Sequence, residues 1–270
     1  MRRIGLALVM AVLSTNAGSA SEPVLLHAAG SLRGALTEIS QAFQQQHGMA
    51  VTQKYAPSGL LRDAIQGGEK AEVFASANMS HPQSLAKAGK AGPVVLFARN
   101  ELCAFARPGL TVTSSTLLDR MLDPAIKLGT STPKADPAGD YAFQVFARAD
   151  VIKAGSKAAL EARTLQLTGG PASRQPQGGR NLYGDILAEG AADIFLAYCT
   201  NEGPIRKEQP GVAMVRLPEG LAVGADYGLT LVNGASTKAA GFAMFILSPD
   251  GQRILTKHGF AAPGLPKESP

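Results

Sequence analysis

Two serine turns, Ala28-Ala29-Gly30-Ser31-Leu32 and Ala56-Pro57-Ser58-Gly59-Leu60, constrain this chain more than any other feature. Each follows a run with strand character, Val24 to His27 in the first case and Val51 to Tyr55 in the second. Each precedes apolar residues at helical spacing: Leu32, Ala35, Leu36, Ile39 and Phe43, then Leu60, Leu61, Ala64 and Ile65. A serine at such a junction can cap the helix with its hydroxyl. Alternatively it leaves the helix end open, so that hydroxyl and backbone N–H groups face an anion together. Two such turns in adjacent βα units open at the same edge of a parallel sheet, which suggests an oxyanion held between helix N-termini.

Strand-like and helix-like segments alternate through most of the remainder, which reads as α/β with mainly parallel sheets. Strands are expected at 72–76, 94–97, 102–106 and 126–130. Helices are expected from Ser84, over Tyr141 to Ala149 and Leu182 to Glu189, and near the end over Thr237 to Leu247 and Gln252 to His258. The stretch Leu167 to Gly179, rich in Gly, Pro and Ser, reads as a surface loop. The apolar runs 221–224 and 229–232 are similar to those around 94–106. A chain leaving one lobe near residue 103 and returning near 222 would make two lobes joined by two hinge strands. No internal repeat is evident.

Met1-Arg2-Arg3, an apolar run from Ile4 to Leu13 and the small residues ending at Gly18-Ser19-Ala20 form a secretory signal peptide, with cleavage expected after Ala20. The apolar run is too short to span a bilayer. The product is therefore expected to be exported, most simply to a bacterial periplasm. The formal charge of +5 falls to +3 once Arg2 and Arg3 are removed, mildly basic and without the concentrated footprint of a nucleic-acid binder. Tryptophan is absent, which argues against a stacking platform for sugars or bases. Cys103 and Cys199, both in apolar runs, permit a disulfide in an oxidising compartment, or two buried thiols. His27, His47, His81 and His258 are scattered without metal-ligand spacing, so no protein-ligated cation is expected.

Enzyme chemistry finds little support. Ser31 and Ser58 sit in neither a Gly-x-Ser-x-Gly elbow nor a Ser-x-x-Lys motif, and His27 reads as a strand-end histidine rather than a base. Gly234-Ala235-Ser236-Thr237-Lys238 has the residue types of a phosphate loop in the wrong order, and reads as a helix start capped by Ser236.

Further segments join the two turns: Gly68 to Ala77, Asn100-Glu101-Leu102, Pro137-Ala138-Gly139-Asp140-Tyr141-Ala142, and Ser248-Pro249-Asp250-Gly251-Gln252 with Gly259-Phe260. With these the chain resembles the periplasmic molybdate-binding proteins of ABC transporters, within the two-lobed solute-binding superfamily. The resemblance implies a type II-like periplasmic binding fold, each lobe a mainly parallel sheet flanked by helices. Residues 21–102 and 222–270 would form the first lobe and 103–221 the second. It implies five ligand contacts: Ser31 and Ser58, the Ala138 amide, the Leu182 amide and the Tyr198 hydroxyl. Gly30 and Gly59 would keep the turns open, Gly139 is a candidate further contact, and Tyr183 could line the cleft. The ligand would be molybdate or tungstate, with no cofactor, and the partner an ABC permease in the inner membrane, with the receptor itself a monomer. Such an ion offers acceptors only, which suits donors without full countercharge.

The departures from that pattern are Pro57 in place of a further serine, Thr132-Pro133 in place of Asp-Pro, and Asp140 after the binding turn. Arg62, one turn beyond Ser58, is a candidate base. Were it to reach the ligand, sulfate, a phosphonate or a carboxylate would be the alternative solute. A sensory effector-binding module shares the same architecture.

Overall fold

The apolar run before each serine turn is a strand. In the computed structural model, which describes residues 22–174 and 180–263, β1 (Val24–Ala29) pairs in parallel with β2 (Val51–Ala56). The expected leader lies outside the described residues, as does part of the 167–179 loop. Strand β1 is buried along almost its whole length, as a parallel strand covered on both faces must be. Strand β2 forms the sheet edge and presents Thr52 and Lys54 to solvent, a charge placement that discourages further pairing. Helix α1 (Arg33–His47) buries Ala35, Leu36, Ile39 and Phe43. Helix α2 (Ser58–Gln66) buries Leu61 and Ile65.

After β3 (Val73–Ser76), helix α3 (Ser80–Lys87) begins four residues ahead of the expected Ser84. The Asn78 carboxamide accepts the His81 N–H at 3.0 Å and starts it early. Beyond it, the two strands expected at 94–97 and 102–106 are one strand, β4 (Val95–Ala106). Arg99 and Glu101 are exposed while Asn100 between them is buried, so the polar interruption is the period-two alternation of a single strand.

The chain continues with α4 (Leu117–Leu122), β5 (Leu128–Ser131), α5 (Pro137–Ile152), α6 (Ser156–Arg163), β6 (Leu165–Thr168), α7 (Leu182–Ala188), β7 (Ile194–Tyr198), α8 (Glu202–Glu208) and β8 (Ala213–Arg216). The chain returns through β9 (Gly224–Leu231), α9 (Thr237–Leu247) and α10 (Pro249–Lys257). Ser236 caps α9, accepting the Ala239 N–H at 3.2 Å. Helix α10 starts at Pro249 rather than Gln252, because Ser248 caps it and proline occupies its first turn.

The strand order is β2-β1-β3-β9-β4-β7-β5-β6, with β8 also on β4. Parallel pairs stand at both outer ends. The centre is antiparallel, where β9 runs back between β3 and β4. Strand β4 changes partners along its length: Glu101 pairs with Gly224 of β9, and Leu102 with Tyr198 of β7. This switch carries the strand from one half of the sheet to the other. Cys103 and Cys199, each one residue beyond the Leu102–Tyr198 pair, form a disulfide. No helix among the described residues is long and apolar enough to cross a membrane.

Candidate functional site

The residues at the C-terminal ends of β1, β2 and β3 meet at one sheet edge. Ser31 lies in a single 3-10 turn, Gly30–Leu32, directly after β1, and Ser58 is the first residue of α2. Neither helix start carries a side-chain cap, so of the two roles open to these serines the structure adopts the uncapped one. Those first-turn amides have no partner within their helices. Ser58 is fully buried, and its Oγ accepts the Ala77 N–H at 3.1 Å. That bond occupies an acceptor site and leaves the hydroxyl proton for a ligand. Ser31 Oγ lies 3.0 Å from the hydroxyl of Tyr227 on β9.

A residue from the other half of the sheet reaches this edge. Tyr198 ends β7, is buried, and reaches across to donate to the Ala77 carbonyl at 3.5 Å. Ala77 thus touches Ser58 through its N–H and Tyr198 through its oxygen. The Tyr198 ring packs against Tyr227 at 5.6 Å and Tyr141 at 6.3 Å. Burial pushes the Tyr198 hydroxyl well above its ordinary range, so it remains a proton donor throughout the physiological span. Gly59 N–H donates to the Ala135 carbonyl at 2.9 Å, tying α2 to the loop that precedes α5. The glycine is required there: a Cβ would stand 2.3 Å from the Lys134 oxygen. At Gly30 a Cβ would meet nothing within 4 Å, so the two turn glycines are not equivalent. Gly139 packs flat on the loop after β5, where a Cβ would lie 2.5 Å from the Ser131 oxygen.

The Ala138 amide does not stand open. It donates to Asp136 Oδ1 at 3.1 Å, and Asp136 is the N-cap of α5. Asp136 is the site residue that the sequence reading missed, although aspartate followed by proline is a helix-start signal. Burial pushes its carboxyl up to about 6, against the lowering effect of the Ala138 and Ser131 bonds. Asp140 accepts the Lys134 N–H at 2.7 Å and closes the same loop rather than facing a ligand bare.

Leu182 opens α7 and is partly buried against the cluster around Phe105 and Phe195. Its neighbour Asn181 caps the helix by accepting the Tyr183 and Gly184 N–H groups at 3.0 and 3.1 Å. Leu182's own amide is not held by that cap. No hydrogen bond or ring contact among the described residues links Leu182 to Ser31, Ser58 or Tyr198. Tyr183 packs on Phe195 at 5.0 Å and bonds Ser131 and Thr168, beside Asp136.

Arg62 is engaged elsewhere. Its Nε donates to Asp63 at 2.8 Å, and its Nη1 lies 3.0 Å from His81 Nδ1. Burial, with the Arg62 charge, pushes His81 down to about 4, so it is neutral and accepts at Nδ1. A groove of ≈ 440 Å³ opens at the rim beside Tyr141, but Asp140 and Asp226 line it, which disfavours an anion there. Among the described residues no group of three or more His, Cys, Asp or Glu could hold a metal ion.

Uncapped helix starts and a buried tyrosine brought to one edge of an α/β fold are an arrangement that suits a solute-binding protein. The chain belongs to the bacterial extracellular solute-binding protein family, which matches residues 24–261. An uncharacterized protein of Pasteurella multocida is 32% identical over 234 residues, 86% of this chain and 96% of that one. The molybdate-binding protein ModA of Mycobacterium tuberculosis is 27% identical over 260 residues, 89% of this chain and 85% of that one. Among solved structures, the Azotobacter vinelandii periplasmic molybdate-binding protein superposes with a TM-score of 0.71 at 20% identity, covering 90% of this chain and all of that one. The sulfate-binding protein SubI of Mycobacterium tuberculosis gives 0.72 at 16% identity, covering 90% and 88%. At these identities the structural likeness is one of fold.

Proposed function

We propose that this protein is a periplasmic receptor, not an enzyme, that captures molybdate, and tungstate by the same chemistry, and presents it to an ABC permease. In this reading residues 1–20 are a cleaved leader. The lobes comprise 21–102 with 222–270, and 103–221, and close as a monomer around the ion. No cofactor or protein-ligated cation takes part. The observation that carries the reading is the pair of uncapped helix starts bearing Ser31 and Ser58; Tyr198, whose proton lies toward the Ala77 carbonyl at 3.5 Å, would turn it to the ion on binding. A fully deprotonated tetrahedral dianion accepts hydrogen bonds and donates none. Hydroxyls and amides satisfy it without a lysine or arginine. Each such bond to a charged ligand contributes about 1.5–3 kcal/mol net. Ser31→Ala and Ser58→Ala should therefore each weaken molybdate binding roughly ten- to hundredfold in calorimetry with the fold retained, and Ser58→Ala should also lower the melting temperature by a few degrees because the buried Ala77 N–H loses its acceptor. Wild-type affinity in either variant removes that residue from the site.

Sulfate is the second reading, favoured by the fold shared with a sulfate-binding protein. An arginine-dependent anion is disfavoured, because Arg62 is bonded to Asp63 and His81. Arg62→Ala should change molybdate affinity by no more than about fivefold, the scale of an exposed ion pair. A larger loss would bring back a phosphonate or carboxylate ligand.

Asp136 gives the binding a pH dependence with a definite sign. Its carboxyl, ordinarily near 3.8, sits at about 6, so it is largely neutral below that pH and charged above it. The charged form repels a dianion at the start of α5, and affinity should fall as pH rises through about 6. Asp136→Asn keeps the cap and removes the charge. It should bind molybdate about tenfold or more tightly at pH 7.5, with a flat profile between pH 5 and 8. A profile unchanged by the substitution would place Asp136 away from the ion.

A further inference from the structure

The two serines of the first lobe solve one problem in different ways. A hydroxyl has one proton, and a serine that spends it on the protein has none for an anion. Ser58 is polarised by a backbone group, the Ala77 N–H, which can only donate. Among the described residues no such amide bonds the Ser31 oxygen; its partner is Tyr227, 196 residues away and fully buried. A tyrosine hydroxyl can donate or accept, so something further must decide the direction.

Asn100 decides it. The Glu101 N–H donates to Asn100 Oδ1 at 2.9 Å, which fixes the carboxamide, since the opposite orientation would set two donors against each other. The Asn100 Nδ2 group then faces Thr200 Oγ1 at 2.9 Å and the Tyr227 hydroxyl at 3.4 Å. An amide nitrogen cannot accept, so the Tyr227 oxygen receives from Asn100 and its proton turns to Ser31. Tyr198 also donates toward the Tyr227 oxygen, sharing its proton with the Ala77 carbonyl, and so leaves the Tyr227 proton free to turn to Ser31.

We propose that Asn100 and Tyr227 are positioning residues that act through Ser31: a one-way chain from the Glu101 N–H through Asn100 and Tyr227 obliges the Ser31 hydroxyl to donate to the bound oxyanion. The inference rests on the proposed function, which places Ser31 at the anion. It adds a physical consequence. The chain begins on β4 where that strand changes partners, so the hydrogen-bond polarity of a first-lobe ligand is set at the crossing between lobes.

The test is a double-mutant cycle read by calorimetric titration of molybdate into the full set of Tyr227→Phe, Ser31→Ala and the double variant. Tyr227→Phe removes the proton and keeps the ring. It should weaken binding about three- to tenfold in the wild-type background and less than about twofold in the Ser31→Ala background. Equal losses in both backgrounds would overturn the proposal, because a ring that merely packs does not depend on the Ser31 hydroxyl. Wild-type affinity in Ser31→Ala alone would instead overturn the placement of Ser31 and the relay with it. If Tyr227→Phe fails to fold, Asn100→Asp is read in the same two backgrounds. It turns a donor into an acceptor, and its loss should be at least about threefold greater when Ser31 is present. A carboxylate acting only by its charge would give the same loss in both.

Discussion

Gly59→Ala should weaken oxyanion binding by about tenfold or more while leaving the unliganded protein about as stable as before, the helix gain offsetting the lost Gly59–Ala135 bond. Alanine is the better helix former, and in the first turn of α2 the exchange favours the helix by up to about 0.5–1 kcal/mol. The obstruction comes from the opposite lobe. A Cβ on Gly59 would lie 2.3 Å from the Lys134 oxygen and 2.7 Å from the Ala135 oxygen, both backbone atoms that no rotamer change can move. The lobes must part to admit it. Parting breaks the Gly59–Ala135 bond and draws Tyr198 and the start of α5 away from Ser58. Losing the Tyr198 donor weakens binding by about ten- to hundredfold. Calorimetry with thermal melts of the unliganded variant separates the two effects. Full affinity with a normal melt would mean that the lobes need not approach this closely to hold the ion.

Loss of the Cys103–Cys199 disulfide should have the largest effect on stability. The two cysteines are 96 residues apart, and a cross-link closing a loop of that size restricts the unfolded chain by about 4–5 kcal/mol. For a domain of this size that corresponds to a fall in melting temperature of roughly 10–15 °C. The bond flanks the Leu102–Tyr198 pair, so its removal also loosens the strand end that presents Tyr198. Reduction, or Cys103→Ser with Cys199→Ser, should therefore lower both the melting temperature and the molybdate affinity. A melt shifted by less than about 3 °C would show that the surrounding sheet alone fixes this region.

The local features built from neighbours in sequence were legible before the fold. The Ser31 and Ser58 turns, the strand ending at Tyr198 and the capping role of Ser236 each rest on a few adjacent residues and a spacing. What stayed hidden depends on partners far along the chain. Tyr227 falls between the apolar runs expected at 221–224 and 229–232, where β9 in fact runs unbroken, and nothing near it in sequence announces Ser31. Asn100 looked like a break between two strands, because polar residues on alternating faces of a strand at a crossing resemble a turn. Asp136 was readable as a helix cap. Its effect on the Ala138 amide needed the fold, since the resemblance directs attention to the Pro-Ala-Gly turn and not to the residue before it. The disulfide was permitted by the sequence and decided by the pairing of β4 with β7. That pairing sets Cys103 beside the residue that follows Tyr198.

The most direct measurement is calorimetric titration of molybdate into residues 21–270, alone and with sulfate in large excess. Tight one-to-one binding that sulfate does not displace is the expected result for an oxyanion receptor whose donors close around the larger ion. The absence of heat with molybdate, or its displacement by sulfate, would contradict molybdate capture and reassign the cleft to another anion.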